Sequence, residues 1–323
     1  MISTFSQEHR NMTSRDELLG HRESSMTFAG ELSFLRRKVT QDISNADIVI
    51  SGIPFDSATT NRPGARFGPQ AIRAASVQLA ELAEHAFPSG ADLFADLAIA
   101  DYGDCELPSA YPTQVVDRIF NHAQAILRHD AMMVSLGGDH FVTYPLLQAH
   151  AEKYGPLSLL HFDAHVDTWE DDGEQLDHGS MFLRAVREGI IVPEKSVQVG
   201  IRSFSDDDYG FTVLDSPWVH EHGPDNAVTR IREVIGDSPT YLTFDIDCLD
   251  PAFAPGTGTP VAGGLSSMQA LTIIRQLGNM NFIGMDLVEV APAYDHAEIT
   301  AIAAATIIHD FIALIAKASQ DDV

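Results

Sequence analysis

The chain has 323 residues, of which 46 are acidic and 20 basic, so its formal net charge is -26. Such an acidic surface repels phosphates, which excludes nucleic acid as a natural partner and favours a cationic small molecule. Solubility alone would also account for the charge. The composition, 45% hydrophobic with 23 glycines and 16 prolines, is that of a globular protein and excludes disordered and collagen-like classes.

The two cysteines, Cys105 and Cys248, do not form a CxxC pair. At this length they exclude a disulfide scaffold and indicate a reducing compartment, the cytoplasm. The N-terminal segment is polar and lacks the apolar stretch of a signal peptide. The most apolar segment, Ile299–Ala318, contains His309 and Asp310. We interpret it as a buried C-terminal helix and expect no membrane partner.

Residues 1–45 are polar with mixed charges, and we expect an N-terminal arm that either makes subunit contacts or is loosely ordered. Residues 46–323 are expected to form one catalytic domain. Its predicted strands are the apolar runs Asp47–Ser51, Leu97–Asp101, Met132–Leu136, Leu157–Phe162, Ser196–Ile201, Phe211–Leu214, Tyr241–Ile246 and Phe282–Val288. Its predicted helices are Pro69–His85, Gln114–His129, Tyr144–Tyr154, Ser180–Glu188, Pro224–Ile235, Ser266–Leu277 and Glu298–Ala318.

Several of these strand runs are apolar on both faces, as buried parallel strands are. The alternation of strands and helices favours a parallel sheet with helices on both faces. Eight strands could also close into a barrel. In either architecture the carboxyl ends of the strands would carry the ligand site.

Two strand ends carry charged residues at alternating positions. Side chains at alternate positions of a strand point to one face, so Asp163, His165 and Asp167 are expected to converge, as are Asp245 and Asp247. Because the carboxyl ends of parallel strands share one edge, both groups should meet in one crevice.

A histidine follows a third strand end. His140 comes after Gly137 and Gly138, and glycines let the backbone turn tightly enough to aim the imidazole into the crevice. A single histidine is more often structural, but its position at a strand end favours a ligand role. The predicted metal ligands are therefore His140, Asp163, His165, Asp167, Asp245 and Asp247.

Four carboxylates carry about four negative charges at neutral pH, which two divalent cations would balance. Oxygen donors with two imidazoles suit Mn²⁺ best, ahead of Zn²⁺, Co²⁺, Ni²⁺ or Fe²⁺, and they suit Ca²⁺ and Mg²⁺ less. Two such ions, roughly 3.5–4 Å apart, can share a water that loses its proton near neutral pH. The alternatives are a structural acidic cluster or a single calcium site, neither of which requires His165.

Two further residues are candidates for the reaction. His178 follows an acidic loop and could pass a proton to a leaving amine, or it could start a helix in a surface loop. Glu289 ends the last strand run and could hold a planar cation by two parallel hydrogen bonds, or pair with an arginine.

Two other features are not assigned to the site. His220 and His222 could form a metal pair, but no strand places them, and we expect a polar loop. The glycine-rich residues 63–69 lack the Lys-Ser/Thr pair of a phosphate loop. They are expected to form a turn into the helix at Pro69, a residue type suited to a helix start.

Five motifs stand in order along the chain: PFD…GARFGP at Pro54–Pro69, GGDH at Gly137–His140, DAHVD at Asp163–Asp167, FDIDCLDPAFAPGTGTP at Phe244–Pro260 and GMDLVEVAPAYD at Gly284–Asp295. In these motifs the chain resembles the ureohydrolase (arginase/agmatinase) family, and most of all its agmatinase members. The resemblance runs from about residue 46 to the end. The motifs are highly specific for the superfamily and less so for the substrate.

The resemblance implies a three-layer α/β/α fold with an eight-stranded, mainly parallel sheet. It implies two Mn²⁺ ions per subunit and a homo-oligomer, commonly a trimer or hexamer. In the implied ligand set both ions are bridged by Asp163 and Asp245, one ion is completed by His140 and Asp167, and the other by His165 and Asp247.

The resemblance also implies that His178 transfers a proton and that Glu289 grips the guanidinium group. Val166 departs from the pattern, because many agmatinases carry a small hydroxylated residue there. Strand alternation points Val166 away from the ions, so the departure bears on packing behind the site and on substrate preference.

The expected reaction is hydrolysis of agmatine to putrescine and urea by a bridging hydroxide, a step of polyamine biosynthesis. The acidic loop would favour the ammonium tail of agmatine over the carboxylate tails of guanidinobutyrate and guanidinopropionate, unless it only faces solvent. Its members are Glu170, Asp171, Asp172, Glu174 and Asp177. Hydrolysis of another linear guanidine, a non-catalytic partner subunit, and a two-metal amidase or deacetylase are the alternatives.

Overall fold

The computed structural model describes residues 13–19, 27–83, 86–90, 92–109, 111–170 and 177–321. The strands in these residues are β1 Lys38–Val39, β2 Ile48–Gly52, β3 Ile99–Asp104, β4 Met132–Leu136, β5 Ser158–Phe162, β6 Val197–Val199, β7 Thr212–Leu214, β8 Thr240–Asp245 and β9 Phe282–Val288. They form one sheet in the order β1-β3-β2-β4-β9-β8-β5-β6-β7. All neighbouring strands are parallel, and the sheet is open, with β1 and β7 at its edges.

The helices in the same residues are α1 Arg15–Leu18, α2 Gly68–Ala80, α3 Leu93–Asp96, α4 Val115–Leu127, α5 Thr143–Tyr154, α6 Met181–Arg187, α7 Ser216–His222, α8 Pro224–Ile235, α9 Ser267–Arg275 and α10 Ile299–Asp321. Each predicted helix corresponds to one of these elements. The turn before α2 also agrees with prediction, since a 3₁₀ segment, Ala65–Phe67, leads into a helix with proline in its first turn.

Helices cover both faces of the sheet. Alternation along β4 shows the two sides, since Val134 and Leu136 belong to one apolar core and Met133 to the other. The first core also includes residues of α2, α8, α9 and α10, and the second includes residues of α4, α5 and α6. The predicted α/β/α architecture is therefore confirmed, and the open sheet rules out the barrel.

The prediction of eight strands was one short. The eight apolar runs correspond to β2–β9, and the ninth strand, β1, is a two-residue edge strand within the expected N-terminal arm. It pairs with β3 through Lys38 and Val39. Two residues are too few to show a period of two, so the pattern could not reveal it. Nearby, Phe34 and Leu35 are fully buried in the core.

α10 is long and apolar enough to cross a membrane, yet 67% of its most apolar window is buried inside the fold. Ile307, Ile308 and Phe311 lie in the core shared with α2 and α9. A helix that is apolar around most of its surface is expected at such a position. The interpretation as a buried C-terminal helix is confirmed.

Candidate metal centre and active site

Four adjacent strands, β4, β9, β8 and β5, end at the same edge of the sheet. They carry, respectively, His140, Glu289, Asp245 and Asp163 at or just beyond their carboxyl ends. Nδ1 of His140 lies 2.9 Å from an Asp163 oxygen and 3.3 Å from an Asp245 oxygen. The three strand ends expected to share a crevice therefore do so, and β9 adds a fourth.

The two glycines before His140 are required for space. A Cβ on Gly138 would lie 1.8 Å from the carbonyl oxygen of Phe55, and one on Gly137 would lie 2.4 Å from Cγ1 of Val288. Neither glycine is among the residues with positive φ. The expected tight turn is therefore not the reason for glycine here; close backbone approach is.

Gly138→Ala is expected to lower the free energy of unfolding by about 1–3 kcal/mol, because backbone must move to admit the methyl group. Guanidinium chloride denaturation in the presence of EDTA measures the change. Gly278→Ala is the matched control, since its Cβ would meet Cδ1 of Leu314 at an ordinary 3.5 Å. Equal denaturation midpoints for the two variants would contradict the steric argument.

His140 aims its free nitrogen at carboxylates. Nδ1 lies 2.9 Å from oxygens of both Asp163 and Asp167 and 3.3 Å from Asp245, yet it is buried and makes no well-aligned hydrogen bond. On the opposite side, Nε2 lies 2.9 Å from the hydroxyl of Thr243. That hydroxyl donates to a carboxylate, so it accepts from Nε2–H, and in the neutral ring a lone pair on Nδ1 faces the three aspartates.

A second group forms around His165. Its Nδ1 lies 3.2 Å from Oδ1 of Asp163 and 3.1 Å from Oδ2 of Asp247. Ligand atoms within 4.8 Å of one another make two sets: one is His140, His161, Asp163 and Asp167, and the other is Asp163, His165 and Asp247. Asp163 belongs to both sets, with one oxygen toward each histidine.

The pKa values of Asp245 and His140 are both raised, which indicates an excess of negative charge around them. Burial, followed by the charges of Asp247 and Asp163, raises the pKa of Asp245 well above its ordinary value. Burial lowers the pKa of His140, but the carboxylates of Asp163, Asp167 and Asp245 close to its Nδ1 raise it well above its ordinary value overall. A carboxyl group and an imidazole that both hold their protons this firmly lie in a negatively charged environment, and such a site is suited to cations. The orphaned Nδ1 of His140 and the shared Asp163 carboxylate fit a pair of divalent ions.

Two site residues have left-handed backbone conformations, Asp167 with φ 50° and Glu289 with φ 63°. Such a conformation costs a residue other than glycine roughly 1–2 kcal/mol. At Glu289 it is held by a backbone hydrogen bond of 2.8 Å from its N–H to the Gly138 carbonyl. Backbone strain of this kind concentrates at functional sites.

Among the residues that the structure describes, Glu289 uses only one of its oxygens. Oε1 accepts from the backbone N–H of His140 at 2.9 Å and from Nδ1 of His178 at 2.8 Å, whereas Oε2 is buried without a partner. The expected pair of parallel hydrogen bonds through both oxygens is thus not available; a cationic ligand would find Oε2 alone. The alternative of an arginine partner is not seen in the described ranges, where the ion pair of Glu289 is with His178.

His178 is a buried residue of the crevice and not part of a surface loop. It is 8% exposed and bridges two segments, since Nδ1 bonds Glu289 and Nε2 lies 2.8 Å from Oγ1 of Thr60. Burial lowers the pKa of His178, and the hydrogen bond to Glu289 outweighs this and raises it to about 9. The backbone N–H of Thr60 donates to Nε2 at 3.1 Å, so the ring as placed carries its hydrogen on Nδ1, toward Glu289. The raised pKa means that the imidazole takes up a second proton readily, which suits a residue that passes a proton on.

The two unassigned histidines lie elsewhere. The expectation of a loop was wrong, because His220 and His222 lie on α7, whose first turn is capped by Asp215 and contains proline. Their rings bond the backbone carbonyls of Gly264 and Trp218. They remain outside the site, as expected.

Most of the acidic loop, Asp171, Asp172 and Glu174, lies outside the described residues. At its ends, Glu170 pairs with Arg187 and Asp177 accepts from the backbone N–H of Gly179. The proposed role of the loop in reading the substrate tail stays a prediction.

Sequence reasoning missed four buried polar residues directly behind the ligands: His161, Gln198, Thr243 and Asp286. One signal was available, because His161 and Thr243 stand two positions before a predicted ligand and so share its face of the strand. Gln198 and Asp286 become neighbours only through strand pairing.

The open parallel sheet and the histidine–carboxylate cluster at its edge are those of the Arginase family, and the chain belongs to it. The sequence profile of that family matches residues 46–313. The chain is 59% identical over 290 residues to the agmatinase of Chromobacterium violaceum, with 89% of each protein covered.

Solved structures agree. A hypothetical agmatinase from Burkholderia thailandensis is 58% identical and has a TM-score of 0.92, with 94% of this chain and 96% of that chain covered. Proclavaminate amidino hydrolase from Streptomyces clavuligerus is 37% identical and has a TM-score of 0.87, with 91% and 100% covered.

Proposed function

We propose that this protein is a manganese-dependent ureohydrolase that converts agmatine and water to putrescine and urea. The observation that carries the proposal is the Asp163 carboxylate, which is shared by two histidine–aspartate groups. It is joined by an oxygen of Glu289 that is buried and has no partner among the described residues. The first feature suits two cations, and the second suits a guanidinium group.

The ligands would be those predicted from the sequence. His140 and Asp167 would hold one ion, His165 and Asp247 the other, and the bridging positions would fall to Asp163 and Asp245. Mn²⁺ fits because carboxylates dominate the set and two imidazoles join them. When bound, such a pair of ions supplies a water-derived nucleophile at neutral pH.

The remaining residues would orient the substrate and transfer a proton to the leaving group. Oε2 of Glu289 would accept from the guanidinium N–H groups and place the carbon for attack. His178, held by Glu289 through Nδ1, would deliver a proton to the departing amine and prevent it from leaving as an anion.

The substrate assignment has two supports. Curated relatives that are 49% and 59% identical to the chain are named agmatinases. The net charge of -26 also favours a dication such as agmatine over guanidino acids. The similarity to proclavaminate amidino hydrolase shows that this fold serves guanidines with other tails.

We further propose a cytoplasmic homo-oligomer, trimeric or hexameric, that acts in polyamine biosynthesis without nucleic-acid or membrane partners. Its catalytic domain would begin near residue 46, behind an N-terminal arm. Cys105 and Cys248 are free and buried, as suits a reducing compartment.

A urea-release panel tests the proposal. Protein stripped with EDTA and refilled with Mn²⁺ is expected to release urea from agmatine much faster than from guanidinobutyrate, guanidinopropionate or arginine. Refilling with Zn²⁺ or Mg²⁺ should restore less activity. A preference for a guanidino acid would overturn the substrate, better recovery with Zn²⁺ would overturn the metal, and hydrolysis of amides alone would overturn the reaction class.

A further inference from the structure

A row of buried polar side chains crosses the sheet just below the metal ligands. Strand pairing places its members side by side on five adjacent strands. The row consists of Ser135, Asp286, Thr243, His161 and Gln198. Each is no more than 1% exposed. Buried polar groups that the reaction does not touch need another reason to be there.

The row begins at Gln198, whose orientation is fixed by the backbone. Its side-chain amide lies 2.7 Å from the carbonyl oxygen of Val166. A carbonyl only accepts, so the nitrogen of the amide must face it, and a flipped amide would place two oxygens against each other. The same Nε2 lies 3.1 Å from Nδ1 of His161. The second N–H of Gln198 therefore donates to that ring nitrogen.

This contact determines which nitrogen of His161 carries hydrogen. Nδ1 accepts from Gln198, so in the neutral ring the hydrogen lies on Nε2. Nε2 is 2.8 Å from Oδ2 of Asp163 and donates to it. Although His161 lies among possible ligand atoms, its Nε2 lone pair is thus occupied by hydrogen, and the ring cannot bind a cation through it.

Half of the hydrogen-bonding capacity of Asp163 is then filled. An ionised carboxylate offers about four lone-pair positions, two on each oxygen. Oδ2 accepts from His161, and Oδ1 accepts from the backbone N–H of His165 at 2.6 Å. One position remains on each oxygen, one toward His140 and one toward His165. Two donors thus turn the carboxylate so that its free positions face the two halves of the site.

We propose that His161 is a positioning residue: its Nε2–H, kept in that tautomer by Gln198, holds the Asp163 carboxylate in the orientation that bridges two cations. The inference rests on the proposed metal site and not on the identity of the guanidine. Partners that orient a metal ligand in this way typically contribute 10–100-fold to metal affinity.

Mn²⁺ binding to four proteins tests the proposal, measured by calorimetry with urea release as a second readout. His161→Leu removes the donor and is expected to raise the dissociation constant of at least one Mn²⁺ about 10–100-fold. His161→Gln places an amide N–H near the position of Nε2 and is expected to bind much more tightly than the leucine variant. His150→Leu is the matched control, because His150 is also fully buried but bonds Leu146 on α5; its Mn²⁺ affinity should match wild type.

Gln198→Leu gives an independent measurement if His161→Leu does not fold. It leaves the imidazole in place but frees its tautomer, so Mn²⁺ affinity should fall in the same direction. Unchanged affinity in both the His161→Leu and Gln198→Leu variants, or equal losses for the Leu and Gln replacements of His161, would overturn the positioning role. Wild-type protein that binds no Mn²⁺ would overturn the metal site itself, and the inference with it.

Discussion

Asp245→Asn is expected to abolish metal-dependent urea release and at the same time to raise the thermal stability of the ion-free protein. The pKa of Asp245 lies well above its ordinary value of 3.8, chiefly because of burial and then because of the charges of Asp247 and Asp163. A carboxyl group whose pKa is raised on folding stabilises the fold while protonated and destabilises it as pH rises through and above the unfolded value. Asparagine resembles the protonated form and removes that cost at neutral pH.

The same substitution takes a negative ligand from the proposed ions. A pair of metal ions of this kind lowers the free energy of the transition state by several kcal/mol, so kcat/KM should fall by about 10³-fold or more. Activity is measured by urea release with Mn²⁺, and stability by thermal unfolding in EDTA at neutral pH.

Asp163→Asn provides the contrast. The close contact with His140 and the hydrogen bond from His161 outweigh burial and hold the pKa of Asp163 well below its ordinary value, so this carboxylate stabilises the ion-free fold. Its asparagine variant should lose activity as well, but should unfold at a lower temperature than wild type in EDTA. Asp310 is a buried aspartate that bonds Arg275 and belongs to neither ligand group, so Asp310→Asn should leave the Mn²⁺ affinity unchanged. Stability changes of the same sign at positions 163 and 245 would refute the electrostatic account.

The parts of this fold that could be predicted are those that repeat along the chain. Strands β2–β9 are apolar runs bounded by polar turns, and burial on both faces makes such runs conspicuous. Strand alternation predicted that Asp163 groups with His165 and Asp245 with Asp247. The structure differs from that reason, because β5 ends at Phe162 and Asp247 lies in a 3₁₀ turn directly after β8. The convergence of separate strand ends followed from the parallel arrangement of the sheet.

The parts that could not be predicted depend on contacts between distant segments. The reason for Gly138 is the backbone of Phe55, more than eighty residues earlier in the chain. The partner of His161 is Gln198 on the next strand of the sheet. A sequence pattern contains no information about either contact. Gly138 was therefore interpreted as a turn residue, and Gln198 was not noticed.

The hydrogen bonds of Glu289 also depend on contacts that the sequence does not show. Its position at a strand end was visible in the sequence, and so was the suitability of a carboxylate for a planar cation. Its left-handed backbone and its bonds to His140 and His178 come from the packing of β4 against β9, and they leave one oxygen free where two were expected. Residue type was therefore predictable, whereas the number of free acceptor positions was not.

Replacing His178 is expected to slow urea release by roughly 10²–10⁴-fold while both Mn²⁺ ions stay bound. The imidazole holds a proton with a pKa of about 9 and lies between Glu289 and Thr60, outside both ligand groups. His178→Phe removes the proton and the bond to Glu289. His178→Asn is the matched variant, because its amide can still donate to Glu289 but cannot transfer a proton.

The two variants separate positioning from proton transfer. Both should lose kcat, and only the phenylalanine variant should also raise KM, since it alone frees Glu289 from the contact that orients Oε2. An agmatine analogue with a less basic leaving nitrogen needs less help from an acid, so the rate lost in His178→Asn should shrink with that substrate. The same loss with both substrates would remove proton delivery from the role of His178 and leave it a structural contact of Glu289.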